Sequence, residues 1–292
     1  MPLRIEAMKN NVRSWARLAL PLMLAAALPL FGCAKQGGTV PPGGLELVVL
    51  HANDTHSHVA GVDAQGNACF DESQGVGGLG RFAAAIKERK SKQDNVIALD
   101  GGDQFQGTLF YSVNKWPILA EYDKSMPWDA MTLGNHEFDE GCLELSKFVE
   151  TLTFPLLAAN LTPEKGCPLL KSAYAPYLIK DIRGTKVGII GLANDEVVAL
   201  ASACSHTKFA NAAETLSRYV KELESQGVHC IIALTHLGLP VDKELGRTVD
   251  GVDIIVGGHT HSYLGPDSPE GPYPTVVTSP SGKPVLVVTA KR

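Results

Sequence analysis

Short apolar runs recur along this chain, and each of them stops at a turn. They are rich in Val, Ile and Leu and do not strictly alternate with polar residues, which is typical of β-strands that are buried on both faces. Eight such runs occupy residues 45–52, 95–100, 129–133, 154–159, 186–193, 230–234, 252–257 and 284–290. The fold must therefore cover both faces of its sheets.

Helical patterns separate several of these runs. Residues 79–92, 141–152 and 213–226 carry apolar side chains at i, i+3 and i+4 spacing, and Gly227 follows the last of them as a stop signal. This alternation of strands and helices predicts a single α/β domain with covered sheets. The Pro/Gly-rich residues 265–274 are predicted to form a surface loop.

The glycine-rich stretch at 75–80 precedes the first helical pattern. It lacks the spacing of either common phosphate-binding loop. We interpret it as a turn that opens the helix at 79–92.

The first 32 residues are predicted to lie outside the domain. Four basic residues precede an apolar run at 18–31, which is short and contains proline, so a cleaved export signal is favoured over a membrane span. The run ends Leu30-Phe-Gly-Cys33 and resembles the lipobox of bacterial lipoproteins, which implies cleavage before Cys33 and a lipid on its thiol. An ordinary signal peptide is the alternative.

The predicted organisation is thus a signal at 1–32, a flexible tether at 33–44 and a domain at 45–292. We expect an exported protein that is anchored by lipid in the bacterial cell envelope, in the periplasm or at the outer membrane. Without residues 1–32, which hold four basic residues and one acidic residue, 22 basic and 30 acidic residues remain, a formal charge of −8. With no run of Lys and Arg, polymeric nucleic acid is not an expected partner.

Five cysteines remain besides Cys33, and none of them forms a CxxC pair, which argues against a structural zinc site. An exported protein can form disulfides, and five thiols allow at most two. The sequence leaves the pairing open among Cys69, Cys142, Cys167, Cys204 and Cys230.

Polar side chains follow five of the strand-like runs, at the point where each run ends. The five groups are NDTH at 53–56, GGD at 101–103, GNHE at 134–137, TH at 235–236 and GHTH at 258–261. In open α/β sheets, ligands bind at the carboxyl ends of the strands. We therefore expect these groups to converge on one crevice.

Together the five groups offer seven metal ligands, of carboxylate, imidazole and amide type: Asp54, His56, Asp103, Asn135, His236, His259 and His261. A mixed nitrogen and oxygen set suits Zn²⁺, Mn²⁺, Co²⁺, Ni²⁺ or Fe²⁺. Seven ligands are too many for one tetrahedral ion, and they fit two ions that share a carboxylate. Four further histidines are interpreted as core or surface residues: His51, His58, His206 and His229. For His58, a role in supporting a metal ligand stays open.

The order of these motifs resembles the calcineurin-like metallophosphoesterases, and in detail their bacterial 5′-nucleotidase branch. The resemblance covers residues 45–292 and implies a two-sheet α/β/β/α sandwich. Gln106 stands where the wider superfamily has Asp or Asn in its G-D-x-x-[DN] element, as it does in the nucleotidase branch.

The same resemblance implies a role for each ligand. It assigns the first ion to Asp54, His56, Asp103 and His261. It assigns the second to Asp103, Asn135, His236 and His259, with Asp103 bridging. It also implies a catalytic dyad, in which His136 faces the phosphate and Asp139 orients the His136 ring. Glu137 is expected to make structural hydrogen bonds.

The implied reaction is hydrolysis of a phosphoester, most simply a 5′-nucleotide, by in-line attack of a hydroxide that the ions activate. Exported members of the branch continue past the position of Arg292, so the domain is expected to be incomplete at its C-terminus and the C-terminal substrate-binding domain to be absent here. Two alternatives stay open: a two-metal thiosulfohydrolase, and a non-catalytic surface lipoprotein that binds a ligand.

Overall fold

The computed structural model describes residues 4–7, 44–65, 67–69, 71, 75–196 and 206–291. The predicted export signal, the tether and Cys33 lie outside these residues, except for the strand Arg4–Ala7 and for Gly44. Cys204 also lies outside them.

Two six-stranded sheets form the centre of the molecule. All neighbouring strands of the first sheet run parallel, in the order β1-β2-β5-β6-β7-β9. With labels in chain order, these strands are β1 (Arg4–Ala7), β2 (Val48–Ala52), β5 (Val96–Asp100), β6 (Ala130–Thr132), β7 (Leu156–Leu157) and β9 (Tyr174–Ala175).

The second sheet has a parallel centre and two antiparallel edges, in the order β10-β11-β13-β14-β16-β15. Its strands are β10 (Tyr177–Ile182), β11 (Thr185–Leu192), β13 (Cys230–Thr235), β14 (Ile254–Gly257), β15 (Thr275–Thr278) and β16 (Pro284–Thr289). Two small antiparallel pairs accompany the sheets, β3 (Gly61–Val62) with β4 (Ala68–Cys69) and β8 (Leu161–Pro163) with β12 (Thr207–Phe209).

The helices cover the outer faces of the two sheets. They are α1 (Leu79–Lys92), α2 (Leu109–Asn114), α3 (Trp116–Asp123), α4 (Gly141–Thr151), α5 (Ala212–Ser225) and α6 (Leu239–Thr248). The first four pack on the first sheet, and α5 and α6 pack on the second. Among the described residues, none of the helices combines the length and the apolar character that crossing a bilayer requires.

The pleat of each strand divides its side chains between two cores. In β5, Val96 and Ala98 belong to the core under helices α1–α4, whereas Ile97 and Leu99 belong to the core between the two sheets. The second sheet shows the same division between the inter-sheet core and the core under α5 and α6. Because successive side chains point to opposite faces, strands with two buried faces must be apolar throughout. The result is the expected α/β/β/α sandwich.

Each of the eight predicted runs overlaps a strand of one of the two sheets, and the three helical patterns coincide with α1, α4 and α5 within one residue at either end. The turn at 75–80 also opens α1 as predicted, since Gly78 caps this helix with φ 86°. Residues 265–274 form no helix or strand. The sequence analysis did not predict α2, α3 or α6, nor the edge strands β1, β9, β10 and β15 of the two sheets, because these elements are short or partly exposed and carry a weaker pattern.

Candidate metal centre

Loops from both sheets meet at one edge of the sandwich, where the strands β2, β5, β6, β13 and β14 end. The Nε2 atoms of His56, after β2, and His261, after β14, lie 3.0 Å apart. The backbone N–H of His259 donates to both carboxylate oxygens of Asp54, at 3.1 and 2.9 Å. The loop that follows a strand of the first sheet is therefore held directly against a loop of the other sheet.

A first group of ligand atoms contains Asp54, His56 and His261, which lie within 4.8 Å of one another. Oδ1 of Asp54 is 3.3 Å from Nε2 of His261 and 3.9 Å from Nε2 of His56. Asp54 and His56 are almost completely buried, while the side chain of His261 is 37% exposed. This group thus opens to solvent on the His261 side.

A second group contains Asp103, His236 and His259, whose ligand atoms also lie within 4.8 Å of one another. Nε2 of His236 lies 3.1 Å from Oδ2 of Asp103 and 3.7 Å from Oδ1 of Asp54, so it stands between the two carboxylates. Nε2 of His56 is 3.8 Å from Oδ2 of Asp103. A third group, His56, Asp103 and His136, shares a residue with each of these two. The first two groups are therefore contiguous, and Asp103 contacts predicted ligands of both.

Backbone geometry at these loops is unusual for residues other than glycine. Five predicted ligands have φ between 42° and 77°: Asp54, His56, Asp103, His259 and His261. Left-handed backbone costs free energy for residues with a Cβ atom and persists where surrounding structure imposes it, often at functional sites. Gly134 provides the room for Asp103, since a Cβ atom there would lie 2.1 Å from Oδ1 of Asp103.

Comparison with known proteins assigns this arrangement to a family. Residues 47–263 match the family model of the calcineurin-like phosphoesterases. The chain belongs to that family.

The most similar relatives of this phosphoesterase domain include 5′-nucleotidases. Over 279 residues it is 36% identical to the 5′-nucleotidase of Rattus norvegicus, a match that covers 93% of this chain and 47% of the relative. A 5′-nucleotidase precursor from Thermus thermophilus superimposes with a TM-score of 0.74 at 36% identity, over 82% of this chain and 48% of that one. The chain thus spans about half the length of these relatives.

A sulfate thiohydrolase from Thermus thermophilus shares the fold. It superimposes with a TM-score of 0.68 at 16% identity, over 83% of this chain and 51% of that one. At this identity the likeness shows the fold alone.

Calcineurin-like phosphoesterases use divalent metals, and the site of this member fits such ions. Oδ1 of Asn135 is buried and forms no hydrogen bond among the described residues, while Nε2 of His236 is buried against the carboxylates of Asp103 and Asp54. A buried polar atom without a partner is costly, and an ion bound beside it would supply that partner. The mixed nitrogen and oxygen set suits a transition-metal ion.

The histidine tautomers of the phosphoesterase site agree with metal binding. Nδ1 of His56 lies 3.1 Å from the carbonyl oxygen of Phe105, and Nδ1 of His236 lies 2.5 Å from that of Gly101. A carbonyl oxygen only accepts, so both Nδ1 atoms carry hydrogen, and Nε2 is the nitrogen through which each ring, once neutral, could bind an ion.

Electrostatic coupling between Asp103 and His236 is strong. Burial alone would raise the pKa of Asp103, but the imidazolium of His236 outweighs it and holds this pKa below its ordinary value. Burial also disfavours charge on His236, yet Asp103 and then Asp54 overcome it and raise the pKa of His236 to about 10. Since metals bind neutral imidazole, a divalent ion would have to displace the proton of His236.

His136 lies at the partly exposed rim of the site. Its Nδ1 is 2.8 Å from Oδ2 of Asp139, and its backbone N–H donates to Oδ1 of Asp103 at 2.9 Å. The imidazole ring is 5.3 Å from that of His56, measured between centroids. The hydrogen bond with Asp139 raises the pKa of His136, so the imidazolium form persists to higher pH than in a free histidine.

Glu137 lies beneath the site and is fully buried. Its carboxylate accepts the backbone N–H groups of Asp103 at 3.0 Å, Gln104 at 2.7 Å and Gly134 at 2.6 Å. These contacts are the structural hydrogen bonds expected from the sequence, and they join the loop after β5 to the loop after β6.

All predicted ligands and both dyad residues lie at this edge of the sandwich, while their individual roles stay predictions. The other histidines lie elsewhere: His51 is buried against the hydroxyl of Tyr273 at 3.0 Å, His58 donates to a carbonyl oxygen of its own turn, His206 is exposed and His229 is half-buried. The hydrogen bonds of His58 go to the backbone oxygens of Thr55 and His56 and to no ligand side chain.

Sequence reasoning gave no role to two asparagines that hydrogen-bond to predicted ligands. Nδ2 of Asn53 donates to Oδ2 of Asp54 at 2.6 Å and to the carbonyl oxygen of Ala290 at 2.8 Å. Nδ2 of Asn194 donates to the carbonyl oxygen of His236 at 2.8 Å. Both follow a strand, as the ligands do, and this position was the available signal.

Proposed function

We propose that this chain is the hydrolytic half of a 5′-nucleotidase and cleaves phosphoesters of nucleotides with two divalent metal ions. The observation that carries this proposal is the contact between the two ligand groups, in which His236 stands 3.1 Å from Asp103 and 3.7 Å from Asp54. Adjacent ligand groups of this kind suit a pair of ions about 3.5–4 Å apart.

The seven predicted ligands would hold these ions: Asp54, His56, Asp103, Asn135, His236, His259 and His261. Bound there, the ions would neutralise phosphoryl oxygens and activate water for in-line displacement. Zn²⁺, Mn²⁺, Co²⁺, Ni²⁺ and Fe²⁺ all suit the donor set, and the choice among them belongs to experiment.

His136 acts from the rim of the site in this proposal. Its imidazolium places positive charge and a proton beside the ligand groups, where phosphate oxygens and the leaving oxygen would lie. Asp139 holds Nδ1–H by a 2.8 Å hydrogen bond, so Nε2 is the nitrogen that faces the substrate. The backbone bond from His136 to Asp103 fixes the spacing between this acid and the ligand groups.

Nucleotides are the proposed substrate class because relatives at 36% identity are 5′-nucleotidases. The relatives are about twice as long as this chain, so the activity of the whole protein is part of the proposal. The proposed setting is the bacterial cell envelope, with a lipid on Cys33, and it is supported by the basic and apolar pattern of residues 1–33. Cleavage before Cys33 would remove the edge strand β1, so the first sheet of the mature protein would begin with β2.

Hydrolysis of AMP and of p-nitrophenyl phosphate by the purified protein with added Mn²⁺ tests the proposal, with an Asp103→Ala variant beside it. We expect metal-dependent release of phosphate that the variant lacks. Cleavage of a thiosulfonate substrate in preference to AMP would support the thiosulfohydrolase alternative. Metal-loaded, folded protein that cleaves neither would contradict hydrolytic function and favour a binding role.

A further inference from the structure

A sixth strand end contributes to the site, although the sequence analysis singled out no residue there. The segment at 193–196 follows β11 and lies beside the second ligand group. Asn194 is buried, and its backbone N–H donates to the carbonyl oxygen of Leu133 at 3.1 Å. Through its side chain it holds the carbonyl oxygen of His236. This segment is therefore fixed to the loops after β6 and β13.

Asn194 also fixes the acidic residue that follows it by two positions. Its Oδ1 accepts the backbone N–H of Glu196 at 2.9 Å. From this position the carboxylate of Glu196 reaches His259, with Oε2 lying 3.1 Å from Nε2. The backbone N–H of His259 is held at the same time by Asp54, so both the main chain and the ring of this histidine have a partner.

The contact with Glu196 sets the tautomer of His259. An ionised carboxylate only accepts hydrogen bonds, so Nε2 carries the hydrogen and a neutral ring keeps its lone pair on Nδ1. His56 and His236 show the opposite arrangement, because backbone carbonyls hold their Nδ1–H groups and leave the lone pair on Nε2. One histidine of the second group thus differs from its neighbours in the nitrogen that remains available.

We propose that Glu196 is a positioning residue of the metal centre, which orients His259 and presents its Nδ1 atom to the second ion. Carboxylates commonly support metal-bound histidines in this way, by fixing the ring and raising its basicity. The inference rests on the metal centre of the proposed function and adds a residue outside the seven predicted ligands.

Metal affinity is the direct test. The purified protein, loaded with Mn²⁺, is titrated with a competing chelator, and metal content is measured by atomic emission. We expect Glu196→Gln to weaken one of two bound ions by about 10–100-fold and to leave the other unchanged. Glu121→Gln is the matched control, because Glu121 also forms an exposed ion pair, with Lys124 just after α3. It should behave as the wild type.

Glu196→Gln is expected to fold normally, because the side chain of Glu196 is 61% exposed and exposed ion pairs contribute little to stability. A change in metal affinity would therefore not reflect unfolding. A His259→Ala background separates positioning from direct ligation. If Glu196 acts through His259, Glu196→Gln causes no further loss of affinity in that background.

Three results would overturn the inference. Wild-type affinity for both ions in Glu196→Gln would overturn it alone and leave the proposed function standing. A further loss in the His259→Ala background would show that Glu196 binds the ion directly. Absence of bound metal in the wild-type protein would overturn the proposed function together with the inference.

Discussion

Nδ1 of His136 and Oδ2 of Asp139 lie 2.8 Å apart. The two residues are three positions apart in the sequence and belong to one turn in the loop after β6. The turn is a short 3-10 helix, His136–Phe138, which follows the predicted ligand Asn135. One local element therefore holds the predicted ligand, the proposed acid and the carboxylate that is hydrogen-bonded to it.

Replacing His136 separates catalysis from metal binding. His136→Ala removes the imidazole but keeps the backbone N–H that donates to Asp103. We expect both ions to remain and turnover to fall by about 10²–10⁴-fold, the usual effect of losing a general acid. Steady-state hydrolysis and metal content check this, with the exposed His206→Ala as control. Loss of metal from His136→Ala would contradict the assigned role.

Replacing Asp103, unlike replacing His136, should remove the bound metal ions. Asp103 contacts ligands of both groups, at 3.1 Å from His236 and 3.8 Å from His56. Asp103→Ala is therefore expected to lose both ions, and activity with them. Metal content after gel filtration measures this, beside Asp267→Ala, which removes an exposed carboxylate. A variant that keeps one tightly bound ion would show that Asp103 does not bridge.

Glu137 is predicted to matter for stability because it is buried beneath the two loops. Glu137→Gln replaces one accepting oxygen with an NH₂ group, which must face a backbone N–H. We expect the free energy of unfolding to fall by about 1–3 kcal/mol, the cost of leaving such a donor unpaired. Urea unfolding in the presence of a chelator measures it, with the exposed Glu150→Gln as control. Equal stability of the two variants would contradict this role.

Asp242 on α6 is predicted to make stability depend on pH. Burial raises its pKa from 3.8 to about 7, although Thr235 donates to its Oδ1 at 2.6 Å. Between these values the folded protein keeps a proton that the unfolded chain releases, so the free energy of unfolding falls as pH rises from about 4 to 7. Asp242→Asn stays neutral and should lose this part of the pH dependence.

Urea unfolding of the metal-free protein at pH 5 and pH 8 checks the sign. The free energy of unfolding of Asp242→Asn minus that of the wild type should be larger at pH 8 than at pH 5. At pH 8 the wild type carries a buried charge, and the variant does not. A difference that is the same at both values would show that Asp242 is ionised throughout.

Cys142 lies at the start of α4 and is disulfide-bonded. This resolves one part of a pairing that the sequence left open. Cys142→Ser is expected to lower the free energy of unfolding by about 2–4 kcal/mol, since the crosslink restricts the unfolded chain. Cys69→Ser, at a free thiol, is the control and should change it little. Thermal unfolding of both variants, with and without reductant, compares them.

Local pattern was sufficient for the main elements and for the candidate ligands. The run at 95–100 is apolar because alternate side chains of β5 enter two different cores, so its burial is evident from its composition. The polar group after it was recognisable because ligands concentrate at the carboxyl ends of such strands. The edge strand β10 was not predicted, because most of its side chains are only half-buried and its sequence is therefore less apolar.

The sequence by itself determined which segments become buried strands and which chemical groups follow them, because both are properties of neighbouring residues. Only the tertiary structure decided which of these strand ends meet. Asp54 and His259 are 205 positions apart and are joined because two separate sheets stack with these ends at one edge. The role of Glu196 arises in the same way, since its carboxylate acquires a partner only where the fold places it against His259.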